Sequence, residues 1–316
     1  MFPIPDTNLR SCHGSSVDSL NGQIDCPGVV DTEDCGGDEY CGQDAQYGWD
    51  STHDSDARFV LAGAQEGAVL DALTQLEWQA CSAGQTGSAC GGEGTLQTWH
   101  EAVSYCEDLD WGGQSDWRLP DSYETHSIID FSRTSPALDS TAFPNAPSLF
   151  DEEYDQWWID CVWTSSIYSG DSAVSLVMML NSGDISSGSG LEYHLNDHDA
   201  AGWDGCSARC VRGGAAQPTF ERFLVSEPVS DEPMVIDTRG HRIWQGCSAG
   251  QSGPNCTGEA TMMDWKSALS YCQSLDWAGS QQWRLPDIKE LFSIVDLGTR
   301  SPAIDSSAFP NTPFYG

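Results

Sequence analysis

SDWRLPD at residues 115–121 returns as QQWRLPD at residues 281–287. A shift of 166 positions aligns residues 78–147 with residues 244–313 without a gap, and 40 of those 70 positions are identical. A period of this length is typical of a duplicated domain and exceeds the periods of solenoid repeats. The sequence therefore predicts two copies of one domain.

The duplication divides the chain into three parts. A cysteine-containing segment at 1–57 precedes the first copy at 58–214, and residues 215–316 hold a linker and the second copy. Strand-like segments follow Pro147 in the first copy, whereas the matching Pro313 stands three residues before position 316. We expect the native chain to continue for about another 70 residues, which would complete the second copy. The alternative is completion by strands of a neighbouring chain.

The repeated motif combines an apolar anchor with a cation. Trp117 suits a buried position, and Arg118 offers five fixed donors that match the carboxylate of Glu124. The sequence favours an internal Arg118–Glu124 pair over a ligand-binding or catalytic cation, because the motif lies among helix caps and core residues. The second copy repeats these residues as Trp283, Arg284 and Glu290.

Each copy has the pattern of mixed helices and strands. RFVL and AVLDALTQLEW, within 58–78, predict a pair of strands around a glycine-containing turn. Thr98 and Glu101 have the spacing of a helix capping box, and Asp121 and Glu124 repeat that spacing. CVWTSSIYS, AVSLVMML and CSARCVRGG predict later strands, so the fold class is α+β. The tryptophans predicted to be buried are Trp78, Trp99, Trp117, Trp244, Trp265 and Trp283.

The charge of the chain narrows the classes of partner. Asp and Glu number 48 against 13 Lys and Arg, which gives a formal net charge of −35. Such a surface repels phosphate backbones and anionic lipids, so we expect neither nucleic acid nor membrane binding. No apolar run reaches the length of a membrane span, and MFPIPDT lacks the features of a signal peptide. For an extracellular protein, this start suggests that residue 1 is a mature or trimmed terminus.

Thirteen cysteines indicate an oxidising compartment. Cys-x-x-Cys pairs of the kind that bind zinc do not occur in the sequence, so disulfides are favoured over metal sites. Spacing predicts the local pairs Cys12–Cys26, Cys35–Cys41 and Cys81–Cys90. The second copy repeats the last of these as Cys247–Cys256.

A combination of motifs carries a family resemblance. Trp-x-x-Cys-Ser-x-Gly-Gln begins at residue 78, Trp-x-x-Ala-x-x-Tyr-Cys occupies 99–106, and Trp-Arg-Leu-Pro occupies 117–120. Trp-Thr-Ser-Ser at 163–166 and Arg-Cys-Val-Arg at 209–212 follow in order. This order resembles the Lcl C-terminal domain family of secreted bacterial proteins.

The resemblance covers 58–214 fully and 222–316 in part, and it implies tandem domains with a C-type-lectin-like fold. It also implies a disulfide between Cys106 and Cys210, and we further expect a Cys161–Cys206 bridge. Cys272, the counterpart of Cys106, is then left unpaired. The formylglycine-generating enzymes share the same broad fold, so their activity is the enzymatic alternative.

Motifs of an enzyme are absent from the sequence. It has no Gly-x-Ser-x-Gly elbow, phosphate loop or His-Glu-x-x-His string. His100 and His126 are replaced by Lys266 and Phe292 in the second copy, which argues against a duplicated site. The cysteines that a formylglycine-generating activity would need are predicted to form structural bridges. We therefore expect no catalytic residues and no cofactor, with Ca²⁺ as a possible exception.

Two acidic segments combine carboxylates with aromatic rings, at 150–161 and 191–206. Carboxylate oxygens suit Ca²⁺, and aromatic rings beside carboxylates and amides suit sugars. The alternative is an acidic loop whose tryptophans belong to the core. The irregular spacing of the acidic residues favours this alternative over a calcium site. The calcium candidates are Asp197, Asp199 and Asp204. The ligand-binding candidates are Asp155, Trp157, Trp158, Asp160, Glu192, Asn196, Asp197, Asp199, Trp203 and Asp204.

Two classes of function remain open at this stage. The first is a secreted or cell-surface binding or adhesion protein whose lectin-like loops recognise a glycan or a surface protein. The second is a structural subunit of an extracellular filament or homo-oligomer that has no small ligand. We expect an extracellular or cell-surface location for both.

Overall fold

The computed structural model describes most of both copies and short pieces of the remaining chain. The described residues are 11–13, 23–25, 58–62, 67–133, 136–146, 149–151, 156–158, 161–167, 175–180, 185–186, 205–214 and 221–314. They fall into two compact units: one holds the described residues from 58 to 214, and the other holds those from 221 to 314 together with 11–13 and 23–25. Of the segment at 1–57, only the paired strands β1 (Ser11–His13) and β2 (Gln23–Asp25) are described. Its separation from the two copies therefore stays a prediction.

The first copy is built from short strands and two helices. Its elements are β3 (Phe59–Ala62), β4 (Ala68–Asp71), β5 (Leu76–Gln79), β6 (Leu96–Gln97), α1 (Trp99–Glu107), α2 (Ser122–Ser127), β7 (Leu149–Asp151), β8 (Gln156–Trp158), β9 (Cys161–Ile167), β10 (Ser175–Met179), β11 (Ile185–Ser186), β12 (Cys206–Ser207) and β13 (Val211–Gly213). The sheets have the orders β13-β5-β4-β3, β11-β10-β9-β12-β6 and β7-β8. The fold is α+β, as the sequence predicts.

One predicted strand is in fact a hairpin. The sequence assigned residues 68–78 to a single strand, but the chain turns between Asp71 and Leu76 and returns beside itself. Gln75 in the turn has a φ of 59°, a left-handed conformation that a continuous strand does not contain. The reversal places Trp78 opposite Val69 and turns both side chains into the core.

Helix α1 begins at the predicted capping box. The Thr98 hydroxyl accepts from the Glu101 amide at 3.3 Å, and the Glu101 carboxylate accepts from the Thr98 amide at 2.8 Å. Asp121 and Glu124 exchange the same two hydrogen bonds at the start of α2. Both capping boxes are confirmed, and each satisfies backbone donors that a helix cannot satisfy internally.

The second copy repeats the beginning of this architecture. Its elements are β14 (Phe223–Val229), β15 (Glu232–Asp237), β16 (Arg242–Gln245), α3 (Trp265–Ser274) and α4 (Ile288–Ser293). Strands β14-β15-β16 form a three-stranded antiparallel sheet that corresponds to β3-β4-β5. In the first copy β5 also pairs with β13, whereas in the described part of the second copy β16 pairs with β15 alone.

The prediction that six tryptophans are buried is correct only in part. Trp78 and Trp117 are 0% and 3% exposed, but Trp265 is 46% exposed and so contradicts the prediction. The other three, Trp99, Trp244 and Trp283, are half-buried. The indole of Trp99 donates to the carbonyl of Thr164 on β9 at 2.9 Å, and the described residues of the second copy contain no counterpart of β9 to cover Trp265.

Four disulfides join described cysteines, and each is one of the predicted pairs. Cys81–Cys90 and Cys247–Cys256 close short loops of equal length in the two copies. Cys106–Cys210 connects α1 to the residue before β13, and Cys161–Cys206 connects β9 to β12. The predicted bridges Cys12–Cys26 and Cys35–Cys41 lie outside the residues whose side chains are described. Cys272 is a free thiol, in line with the repeat.

A buried ion pair that the sequence analysis missed holds each sheet against the second helix. Arg58 donates to both oxygens of Asp71 and to the carbonyl of Ser127, and the two side chains are 2% and 0% exposed. Burial alone would raise the pKa of Asp71, but the charge and hydrogen bonds of Arg58 lower it below its ordinary value. Arg222 and Asp237 repeat the pair in the second copy, where Arg222 is 17% exposed.

We predict that Asp71→Asn destabilises the first copy by about 3–5 kcal/mol, because it leaves the Arg58 cation buried without its anion. Asp237→Asn in the second copy is the matched control, and its cost should be smaller because Arg222 reaches water. Hydrogen–deuterium exchange under increasing urea measures each copy separately. Equal effects of the two variants would show that burial does not set the strength of this pair.

Candidate functional site

The Trp-Arg-Leu-Pro motif is a structural clamp in both copies. Arg118 donates to both oxygens of Glu124 at 2.7 and 2.6 Å, which confirms the predicted pair. Arg284 binds Glu290 in the same way, with both distances 2.6 Å. Because Glu124 also accepts from the Asp121 amide, one carboxylate joins the motif to the start of α2.

The carboxylate of Asp121 is half-buried and lies near that of Glu124. Burial and the charge of Glu124 together raise the pKa of Asp121 to about 6. The folded state therefore binds a proton that the unfolded state releases near pH 4. The contribution of Asp121 to stability is complete below pH 4 and is lost as the pH rises through 6.

We predict that Asp121→Asn removes this pH dependence, because asparagine caps a helix as well as aspartate and does not titrate. The melting temperature of the variant at pH 8 should equal or exceed that of the unchanged protein. Asp121→Ala is the control, since it loses the cap at every pH and should cost about 1 kcal/mol. A variant Asp121→Asn that melts well below the unchanged protein at pH 8 would contradict the raised pKa.

An open groove lies beside β16 in the second copy. Its cavity has a volume of about 560 Å³. Trp244 and Gln245 of β16 form one wall, and Cys272 of α3 and Arg284 of the repeated motif lie around it. A cavity of this size is within the range of ligand-binding pockets. The repeat allows a direct comparison with the same place in the first copy.

In the first copy, the residues just before β13 and the strand itself fill the equivalent place. The backbone of Val211 exchanges two hydrogen bonds of 2.9 Å with Arg118, and the side chain is fully buried against Trp78. The carbonyl of Cys210 accepts from the Gln79 amide at 2.9 Å. The counterparts of Arg118, Trp78 and Gln79 all line the groove of the second copy.

Arg209 is one of the buried residues that fill the equivalent position in the first copy. Its guanidinium donates to the carbonyls of Gln79 and Ala80 and to the hydroxyl of Ser82, and it lies 5.0 Å from the ring centroid of Phe143. Arg209 is 1% exposed, and burial lowers its pKa to about 10, so it stays a cation at neutral pH. We name these four surrounding residues the guanidinium cage.

The second copy keeps a counterpart of each residue of the guanidinium cage. Gln245, Gly246, Ser248 and Phe309 stand 166 positions after the cage residues, and all four line the groove. The residues that supply two carbonyls, one hydroxyl and one aromatic face to Arg209 in the first copy thus have counterparts around the groove. The sequence analysis quoted Arg209 within the closing motif but missed its buried role, although an arginine directly before a cysteine in a closing strand was the available signal.

Cys272 stands at the position of Cys106 and faces the groove. In the first copy, Cys106 bonds Cys210 with a Cα–Cα distance of 5.5 Å. The thiol of Cys272 is half-buried, and burial raises its pKa above the ordinary value. Its position therefore matches that of a cysteine whose partner is carried by a strand next to β16.

The structure does not describe the side chains of the predicted ligand-binding residues. Asp155, Asp160, Glu192, Asn196, Asp197, Asp199, Trp203 and Asp204 are outside the described residues, and so are the side chains of Trp157 and Trp158 on β8. Glycan and calcium binding by these residues therefore stay predictions. Within the described part of the chain, no group of three or more His, Cys, Asp or Glu side chains could hold a metal ion.

The comparisons with known proteins agree with the repeat. The sequence model of the Lcl C-terminal domain family matches residues 67–199 and 233–315, which together make up more than half of the chain. The protein therefore belongs to the Lcl C-terminal domain family, as its motifs suggested. No curated protein and no solved structure matches the chain. None of the helices in the described residues has the length and apolar character that crossing a bilayer requires.

We predict that native protein has one more reactive thiol per chain than the Cys272→Ser variant, measured with an aromatic disulfide reagent. The reaction rate should keep rising at a pH above the ordinary range of cysteine, because burial raises the pKa of this thiol. Protein unfolded in denaturant is the control for full access. Equal thiol content in the two native proteins would show that Cys272 already has a covalent partner.

Proposed function

We propose that this protein is a secreted, non-catalytic binding protein with a C-type-lectin-like fold that serves as a structural subunit of an extracellular assembly. Its second copy accepts an extended strand at the edge of β16. One observation carries the proposal: the groove beside β16 keeps the residues that hold the closing strand in the first copy.

The cysteine chemistry supports the extracellular location. Four disulfides join eight of the described cysteines. Three of them lie within the first copy and one lies within the second. Structural disulfides persist in oxidising compartments and are rare in the cytosol. The net charge of −35 favours solubility in such a compartment over binding to anionic membranes or nucleic acids.

The exposed strands support association over binding of a small molecule. Ile243 on β16 is 55% exposed, and Val225 on the opposite edge strand β14 is 53% exposed. In the first copy, Leu61 on the edge strand β3 is 68% exposed. Apolar edge strands are templates for pairing with another chain, and addition of a strand gives affinity through main-chain hydrogen bonds.

The backbone of β16 is oriented for this pairing. Gly246 donates to Pro233, and the ladder pairs Trp244 with Val235, so alternate residues of β16 bond to β15. The amide groups of Ile243 and Gln245 then point away from β15. Gln79, the counterpart of Gln245, uses its amide to bind the closing strand of the first copy.

We predict that the full chain binds a labelled peptide of residues 205–214 in which both cysteines are replaced by serine, measured by fluorescence anisotropy. Ile243→Pro should weaken binding at least about tenfold, because proline removes the amide and occupies the edge of β16. Proline at a solvent-facing edge position leaves the pairing of β15 and β16 in place.

Val225→Pro is the matched control, since it places the same substitution at similar exposure on the opposite edge of the same sheet. It should leave peptide binding unchanged. If the unchanged chain does not bind the peptide, or if both proline variants bind it equally, the groove does not accept a strand. Binding to a glycan array in calcium, without peptide binding, would instead favour recognition through the acidic segments.

A further inference from the structure

We propose that two chains of this protein pair through the edge strand β14 of their second copies, antiparallel and in a symmetric register centred on Leu224. The inference rests on the proposed role in an assembly, and it names another chain of the same protein as the partner. Strand β14 lies at the opposite edge of its sheet from β16, so this contact is separate from the strand site at β16.

An open edge at this place is a feature of both copies. Strand β3 is the counterpart of β14 in the first copy, where the order β13-β5-β4-β3 puts the closing strand β13 at the opposite edge of the sheet. Val60 and Leu61 on β3 are 50% and 68% exposed, although that copy has its closing strand. The exposure of β14 is therefore independent of any strand that pairs with β16.

The backbone of β14 directs hydrogen-bonding groups to its outer side. The amide of Thr238 donates to the carbonyl of Arg222 at 2.8 Å, and bonding to β15 alternates along the ladder, so that Leu224 bonds next. The amides and carbonyls of Phe223 and Val225 then point away from β15. Among the strands that the structure describes, β15 is the one that pairs with β14.

These outward groups define a symmetric register. When Phe223 of one chain lies opposite Val225 of the other, antiparallel symmetry also places Val225 opposite Phe223, and each of these pairs exchanges both of its main-chain hydrogen bonds. Leu224 then faces Leu224 of the other chain in a closely spaced pair, in which side chains contact each other directly. Leu224 is 44% exposed in the single chain, so pairing removes an apolar side chain from water.

The far end of β14 excludes a register shifted toward the hairpin turn. The ladder with β15 changes register between Ser226 and Val229, and a bulge of this kind ends the regular edge. Pro228 lies in this stretch and has no amide to donate. The carboxylate of Glu227 accepts from the Asp231 amide at 2.8 Å, which holds it on the turn of its own hairpin. Pairing is therefore confined to the first part of β14, which the symmetric register uses.

Charge favours pairing between second copies over pairing between first copies. Residues 58–214 hold 24 Asp and Glu against 5 Lys and Arg, a net of −19, whereas residues 215–316 hold 12 against 7, a net of −5. Two first copies therefore repel each other more strongly than two second copies. In the symmetric register Arg222 lies opposite Ser226 of the other chain, so like charges do not meet between these positions.

Sedimentation equilibrium of the full chain tests the contact. We expect a monomer–dimer equilibrium between 34.2 kDa and twice that mass. Val225→Pro should raise the dissociation constant at least about tenfold, because proline removes an outward amide and its ring occupies the edge. Ile243→Pro places the same substitution at the opposite edge of the sheet, so it is the matched control and should leave the constant unchanged.

A charge exchange tests the register. Leu224→Glu and Leu224→Lys each place two like charges at the centre of the symmetric pair, so each variant alone should be monomeric. Mixed in equal amounts, the two variants should form a heterodimer, because Glu then faces Lys. The same exchange at Ile243, which is 55% exposed, is the control and should leave the dimer of each variant intact.

The inference is overturned by a full chain that stays monomeric at about 100 μM, or by a dimer that survives Val225→Pro. A dimer that is lost with Leu61→Pro and kept with Val225→Pro would show that first copies pair instead. Val225→Pro keeps the test decisive if the substitutions at Leu224 unfold the strand. Loss of peptide binding at β16 from a chain that still dimerises would overturn the strand site of the proposed function and leave the contact at β14 in place.

Discussion

The burial of the Arg209 cation, which the closing segment carries against the residues at and just after β5, is the interaction on which closure of the first copy depends. Arg209 exchanges water for two backbone carbonyls, the hydroxyl of Ser82 and the ring face of Phe143. The next residue, Cys210, ties the strand to α1 through a loop of 104 residues. The following residue, Val211, completes the core over Trp78. One short segment thus provides charge, covalent closure and apolar cover.

The second copy shows which parts of this arrangement belong to the scaffold and which belong to the strand. The sheet, the two helices, the clamp of Arg284 on Glu290 and the local disulfide all form as in the first copy. Burial raises the pKa of Glu290, but Arg284 and Arg242 together lower it below its ordinary value, so the clamp stays ionised. The surface that would receive a strand is therefore held in shape by interactions that do not need the strand.

Local interactions were accessible to sequence reasoning. Capping boxes, the Arg118–Glu124 pair and the Cys81–Cys90 bridge join residues fewer than ten positions apart, so their spacing encodes their geometry. The buried pair of Arg58 and Asp71 was missed, because it depends on a hairpin that hydrophobic pattern alone did not resolve. The burial of Trp265 was predicted wrongly, because the repeat copies the residue but the described second copy has no strand over it.

By itself, the sequence determined that the chain contains two copies of one domain, which belong to the Lcl C-terminal domain family and have an α+β fold. These conclusions follow from identity at a constant offset and from motifs that act over short distances. Only the tertiary structure decided where Arg209 and Cys272 lie. The residues that surround Arg209 lie about 130 positions away in the chain, at Gln79, Ala80 and Ser82, and strand pairing alone brings them together. The same pairing in the first copy identifies the residues of the second copy that line the groove beside β16, Cys272 among them.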